Sequence, residues 1–169
     1  MPMQLHRALA AAAILSFGHL GPVASANAEE FDVDFPAGEF CPGFAVQGDI
    51  TVKGSEKTLP GDRFWNHNVG TGVWTNAESG QTFTQRSRYA SVATYDAATN
   101  YYHLTITGRY LIGFYAGDIG LTGPVTETQT YSVAGRQTIT FDVSTDRIIA
   151  YSLDGHVLAD VCAVLAGKS

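Results

Sequence analysis

A chain of 169 residues with 16 acidic and 10 basic side chains carries a net charge of −6 at pH 7, and its length suits one ordinary domain. The acids are scattered, densest at Glu29, Glu30, Asp32 and Asp34, and no run of Lys or Arg occurs; neither a nucleic acid nor an anionic membrane surface is an expected partner. Eighteen glycines and few long apolar helical stretches fit a chain of many hairpins.

Residues 1–28 read as a secretory signal peptide. A positive charge at Arg7 precedes an apolar run from Ala8 to Phe17, and Gly18, Gly21 and Pro22 then break any helix. Ala24-Ser25-Ala26-Asn27-Ala28 supplies the small residues of a cleavage site, with cleavage after Ala28 preferred over Ala26. The apolar run is shorter than the roughly 20 residues of a permanent span, so no stable membrane insertion is expected after cleavage. No cysteine follows either cleavage position, which disfavours a lipid anchor. Leu59-Pro60-Gly61 looks like the start of a wall-sorting signal, but no hydrophobic tail follows it. The expected product is a secreted single β domain, residues 29–169.

From there a period of two dominates. Phe44, Val46, Ile50 and Val52 share one strand face, with Gln47, Asp49, Thr51 and Lys53 on the other. Shorter strands are predicted over Arg63–Asn66, Gly72–Asn76, Gln81–Tyr89 and Ala90–Tyr95. Tyr102, Leu104, Ile106, Gly108, Tyr110, Ile112 and Phe114 form a long inward face; Tyr101, His103, Thr105, Thr107 and Arg109 form its wet side. Asp118–Leu121, Val125–Val133, Gln137–Ser144 and Arg147–Leu153 complete the strands. Hairpin loops are expected at Asn76–Gly80, Asp96–Asn100 and Ala134–Arg136, with a tight turn at Asp154-Gly155. A helix is predicted over Val157–Ala166. The fold class is all-β: an antiparallel barrel of about eight strands with a short C-terminal helix, a sandwich being the alternative.

Cys41 and Cys162 lie near opposite ends of the mature region, and outside the reducing cytosol such a pair reads as a disulfide. Closing so long a loop is worth roughly 4–5 kcal/mol in the chain-entropy picture. A redox-active pair would place its cysteines two residues apart.

Several short segments carry a resemblance: Phe35-Pro36-Ala37-Gly38 with Cys41-Pro42-Gly43-Phe44, Thr75-Asn76 with Ser79-Gly80, Thr107-Gly108-Arg109-Tyr110-Leu111, and Asp160-Val161-Cys162-Ala163-Val164-Leu165-Ala166. Together they resemble a family of small secreted two-cysteine β proteins of high-GC Gram-positive bacteria. The resemblance implies export, a cysteine pair and a β domain; it implies no activity and no site.

No catalytic residue is singled out. His67, His103 and His156 are too dispersed for a metal motif, no Gly-x-Ser-x-Gly elbow occurs, and Gly167-Lys168-Ser169 lacks the upstream glycine of a phosphate loop; no metal or cofactor is expected. What remains is aromatic. Trp65, Trp74, Tyr89 and Tyr102 are candidates to line a barrel interior, beside the mixed face Phe83, Gln85, Ser87, Tyr89, Ser91. The more ordinary role of such rings is to fill a core and strengthen cross-strand pairs. Arg86, Arg88 and Arg109 either grip a ligand's carboxylate or phosphate, or lie on the wet face and pair with Glu78 or Glu127. The expected function is a non-catalytic secreted β-barrel that binds a small apolar ligand or acts at the cell surface. A barrel enzyme of isomerase or cyclase type and a filled structural module are the alternatives.

Overall fold

In the computed structural model residues 28–168 are described, so nearly all of the signal-peptide reading lies outside the described residues. Seven long strands follow one another as an antiparallel meander: β1 (Glu29–Phe35), β2 (Val46–Leu59), β3 (Arg63–Asn76), β4 (Thr82–Asp96), β5 (Tyr101–Phe114), β8 (Gln129–Asp142) and β9 (Arg147–Asp160). A small hairpin, β6 (Ile119–Gly120) and β7 (Gly123–Pro124), interrupts the series between β5 and β8. A single turn of helix, α1 (Val161–Leu165), ends the chain. The sheet is all-antiparallel as the alternation requires, with β1 and β9 at its edges.

Side-chain chemistry sets the turns. Asp96 accepts from the Ala98 N–H and the Thr99 hydroxyl at the β4–β5 tip, and Asp142 accepts from the Ser144 N–H and hydroxyl between β8 and β9. Asn100 and Asp146 then take the left-handed conformation that reverses the chain, as Asx residues tolerate.

Several strands are longer than the sequence suggests. Arg63–Asn66 and Gly72–Asn76 are two parts of β3, and Gln81–Tyr89, apart from Gln81 itself, and Ala90–Tyr95 fall in β4. Ala134–Arg136 and Asp154-Gly155 are not turns; they lie inside β8 and β9 and pair with one another, Gly135 against Gly155. Tyr89, Gly108, Gly135 and Gly155 form one rung across four strands. A Cβ at Gly108, Gly135 or Gly155 would stand 2.2, 2.4 or 2.1 Å from a carbonyl oxygen of the adjacent strand. The glycines serve close backbone approach and sharp bending within strands, not chain reversal.

Beside that rung the sheet divides. β4 and β5 pair from Asp96↔Tyr101 to Arg88↔Arg109 and then separate. The remaining part of β4 continues with β3, whereas Tyr110–Phe114 continues with β8. The sheet thereby folds over on itself: Ser132 of β8 donates to Gln85 Oε1 of β4 at 2.7 Å although β5 lies between these strands in the order. Beyond the division the strand ends are covered on both faces, and Tyr110, Ile112, Gly113, Phe114, Thr130, Ser132 and Val133 are all buried. α1 packs against β4 and β8, with Val161 and Leu165 wholly buried. Val157–Asp160, predicted as helix, completes β9 instead, and Asp160 caps α1 by accepting from the Ala163 N–H.

The cysteine pair is a disulfide, Cys41–Cys162, closing a sequence separation of 121. It ties the β1–β2 loop to α1. Two buried clusters result. One gathers Phe40, Cys41, Val46, Trp74, Val161 and Leu165 around the bridge. The other gathers Ile106, Tyr110, Ile112, Phe114, Val133 and Ile148 among others.

The edges differ in kind. β1 carries Glu29, Glu30, Asp32 and Asp34. β9 has irregular register opposite Ser132/Val133 and Thr140/Phe141, where Leu158 and Ile149 are the extra residues and both are exposed. Near its start, the buried Asp118 carboxylate accepts from the Ile148 N–H at 3.0 Å.

Candidate functional site

Between the folded halves lies a cavity of about 100 Å³, partly open to solvent. β1 and β2 contribute Phe31, Phe35, Ile50 and Val52, the inward residues of their alternation. β3 contributes Trp74 and the small positions Gly70 and Gly72. A Cβ at Gly70 would stand 2.6 Å from the Thr51 oxygen, and one at Gly72 would stand 3.0 Å from Trp74 Nε1. Glycine at both positions keeps β2 close and lets the indole lie across its own strand. The Phe40 ring stacks on the indole with centroids 4.6 Å apart, and Phe35 approaches it at 6.2 Å.

The opposite wall is more polar. Asn68 donates to the Tyr89 hydroxyl at 3.1 Å. Tyr110 packs on Tyr89 at 5.4 Å and donates to Gln137 Oε1, which also accepts from Tyr151 at 2.9 Å. Burial pushes the Tyr89 phenol up, opposed by the Asn68 hydrogen bond, and pushes Tyr110 far up, so both are neutral at physiological pH. Among the described residues, Trp74 Nε1 and Gln137 Nε2 are buried donors without a partner. Trp74 therefore brings to the cavity wall an indole N–H whose hydrogen bond is unmade.

Glu39 stands at the rim, on the loop between β1 and β2. The loop is held tightly on either side of it. Thr128 donates to the Gly38 carbonyl at 2.5 Å, Thr130 donates to the Phe40 carbonyl at 2.6 Å, and the disulfide follows at Cys41.

Of the residues proposed from sequence, Trp74 and Tyr89 line this cavity, and so do Gln85 and Ser87 of the mixed β4 face. Tyr102 does not; it packs on Tyr95 at 5.0 Å and borders the other cluster. Trp65 lies on the outer face, half-buried, beside the His67 ring and 5.4 Å beneath Lys57 Nζ. Arg86, Arg88 and Arg109 are exposed on the outer face, with Arg88 directly opposite Arg109 across β4 and β5. Among the described residues none of the three makes an ion pair, with Glu78, Glu127 or any other acid. The histidines stay apart, and no group of three or more His, Cys, Asp or Glu residues that could hold a metal occurs among the described residues.

Sequence reasoning passed over Phe31, Phe35, Glu39, Phe40, Gly70 and Gly72. The last two left a signal: glycines at alternate positions on the Trp74 face of a strand mark room beside a large ring.

Comparison of the chain with protein-family models, with curated proteins and with solved structures finds no match.

Proposed function

We propose that this chain is a secreted, non-catalytic β-barrel domain that holds one small, largely apolar molecule between the folded halves of its sheet. The cavity carries the reading. Its walls are dominated by aromatic and aliphatic side chains, with a few placed polar groups, as small-molecule sites commonly are. A cavity of about 150 Å³ lined by apolar side chains takes up benzene, so a volume of about 100 Å³ suits a short alkyl group, or a single ring that extends into the opening.

Export is supported by the leader-like character of residues 1–28 and by the disulfide, which an oxidising compartment permits. No helix among the described residues is long and apolar enough to cross a membrane. The barrel reading is supported by the continuous meander, which folds over on itself, and by the bridge that fastens the β1–β2 loop to the segment after β9; β1 and β9 remain the two edges of the sheet. The likeness to the small secreted two-cysteine proteins agrees with this assignment.

Native mass spectrometry of residues 29–169, purified after export and exposed to a lipid and metabolite extract, tests the reading. A discrete added mass is expected, and it should disappear in Gly72→Leu, whose side chain would fill the space beside Trp74. No added mass across several extracts would overturn it.

A further inference from the structure

Resting on the cavity reading above, we infer that the ligand is a small apolar cation, an amine or quaternary ammonium whose charge lies at Glu39 and whose body lies among the rings. Among the described residues, the side chains around the cavity include one carboxylate, Glu39, and no Arg, Lys or His. The arginines that could have received an anionic head group are on the opposite face of the sheet. A carboxylate or phosphate ligand would enter an aromatic cavity with nothing to neutralise it and an acid at the door, on a protein whose net charge is already −6.

A cation meets the reverse situation. Aromatic faces attract it through their quadrupole, and Phe35, Phe40, Trp74 and Tyr115 line the same cavity as Glu39. The backbone that carries the carboxylate is also held in place. The carbonyls on either side of Glu39 are each fixed by a threonine from the β8 side, so little backbone freedom remains to be lost on binding. Gly38 adds a further tie, its N–H donating to the Cys41 carbonyl at 2.9 Å.

Three isosteric probes separate charge from shape: benzylamine, benzyl alcohol and benzoate, titrated into the exported chain with tryptophan fluorescence and calorimetry as readouts. Protonated benzylamine should bind about fivefold or more tightly than the alcohol, from one rim charge pair plus ring contacts, and benzoate weakest. Glu39→Gln, an exposed substitution that should leave thermal stability unchanged, should cost the amine about two- to fivefold and leave the alcohol unaffected. Added salt should weaken the amine alone. Benzoate binding as well as the amine, or an amine affinity indifferent to Glu39→Gln, would overturn the cation assignment while leaving the cavity reading intact. Failure of all three probes to bind would overturn the cavity reading itself.

Discussion

The two buried clusters are built by opposite means. The cluster around Phe114 is made chiefly by β5, β8 and β9, neighbouring long strands whose inward residues meet by strand register, with Tyr89 of β4 and Val125 joining them. The cluster around Trp74 draws on the β1–β2 loop, β2, β3 and the C-terminal helix, parts separated by most of the chain. It is fastened by a covalent bridge, by Thr130 on the Phe40 carbonyl and by Asn76 on the Leu165 carbonyl. Where β5 ends, the first region is covered on both faces of its strands; the cavity opens where the two regions meet, lined by Phe40 and Trp74 of the second and by Tyr89 and Tyr110 of the first. A binding space costs packing, so the region beside it that strand register does not hold needs other fastenings.

Removing the fastening should have the largest effect. The double variant Cys41→Ser, Cys162→Ser is expected to lose roughly 4–5 kcal/mol, read from urea unfolding. Hydrogen exchange should rise first in residues 36–45 and α1, with β5 and β8 still protected. Uniform loss of protection would show that the two regions are one cooperative unit.

Phe114→Ala attacks the other region. Its ring is wholly buried and meets Tyr151 edge-on at 4.9 Å, so a loss of about 3–5 kcal/mol is expected, close behind the bridge. Binding at the cavity should survive in whatever fraction remains folded, which a titration under native conditions would show.

Asp118 gives the smallest effect and the one that depends on pH. Burial raises its carboxyl pKa, against the Tyr115 and Ile148 N–H groups and Arg147, which favour the anion. A native pKa above the unfolded value means the folded chain binds more protons across that window, so this group's contribution falls as pH rises through it. The stability advantage of the wild type over Asp118→Asn should therefore be greatest in acid and shrink as pH rises through the carboxylate range, seen as converging melting temperatures. A constant difference would remove Asp118 titration from the account.

What was legible in the sequence follows the same division. The alternation of Tyr102, Leu104, Ile106 and Tyr110 reported an inward face directly, because a strand's period is a local property. The pairing of Cys41 with Cys162 was legible because no other cysteine competes. Asp154-Gly155 was misleading: whether glycine marks a turn or a close strand approach depends on the residue opposite, here Gly135, which local composition does not reveal. Arg86 and Arg88 were rightly placed on a common face, but periodicity leaves open which face is the wet one. Glu39 and Phe40 were beyond reach, since partners 90 residues away at Thr128 and Thr130 place them.

The unlike edges of the sheet have a consequence for copies of the chain meeting at high concentration. A strand added alongside β1 would lie against four closely spaced carboxylates. A strand added alongside β9 would lose its hydrogen-bond spacing at the extra residues Ile149 and Leu158, and it would find the Ile148 N–H already taken by Asp118. One edge repels by charge and the other by geometry, so a second copy finds no straight, neutral template on which to polymerise.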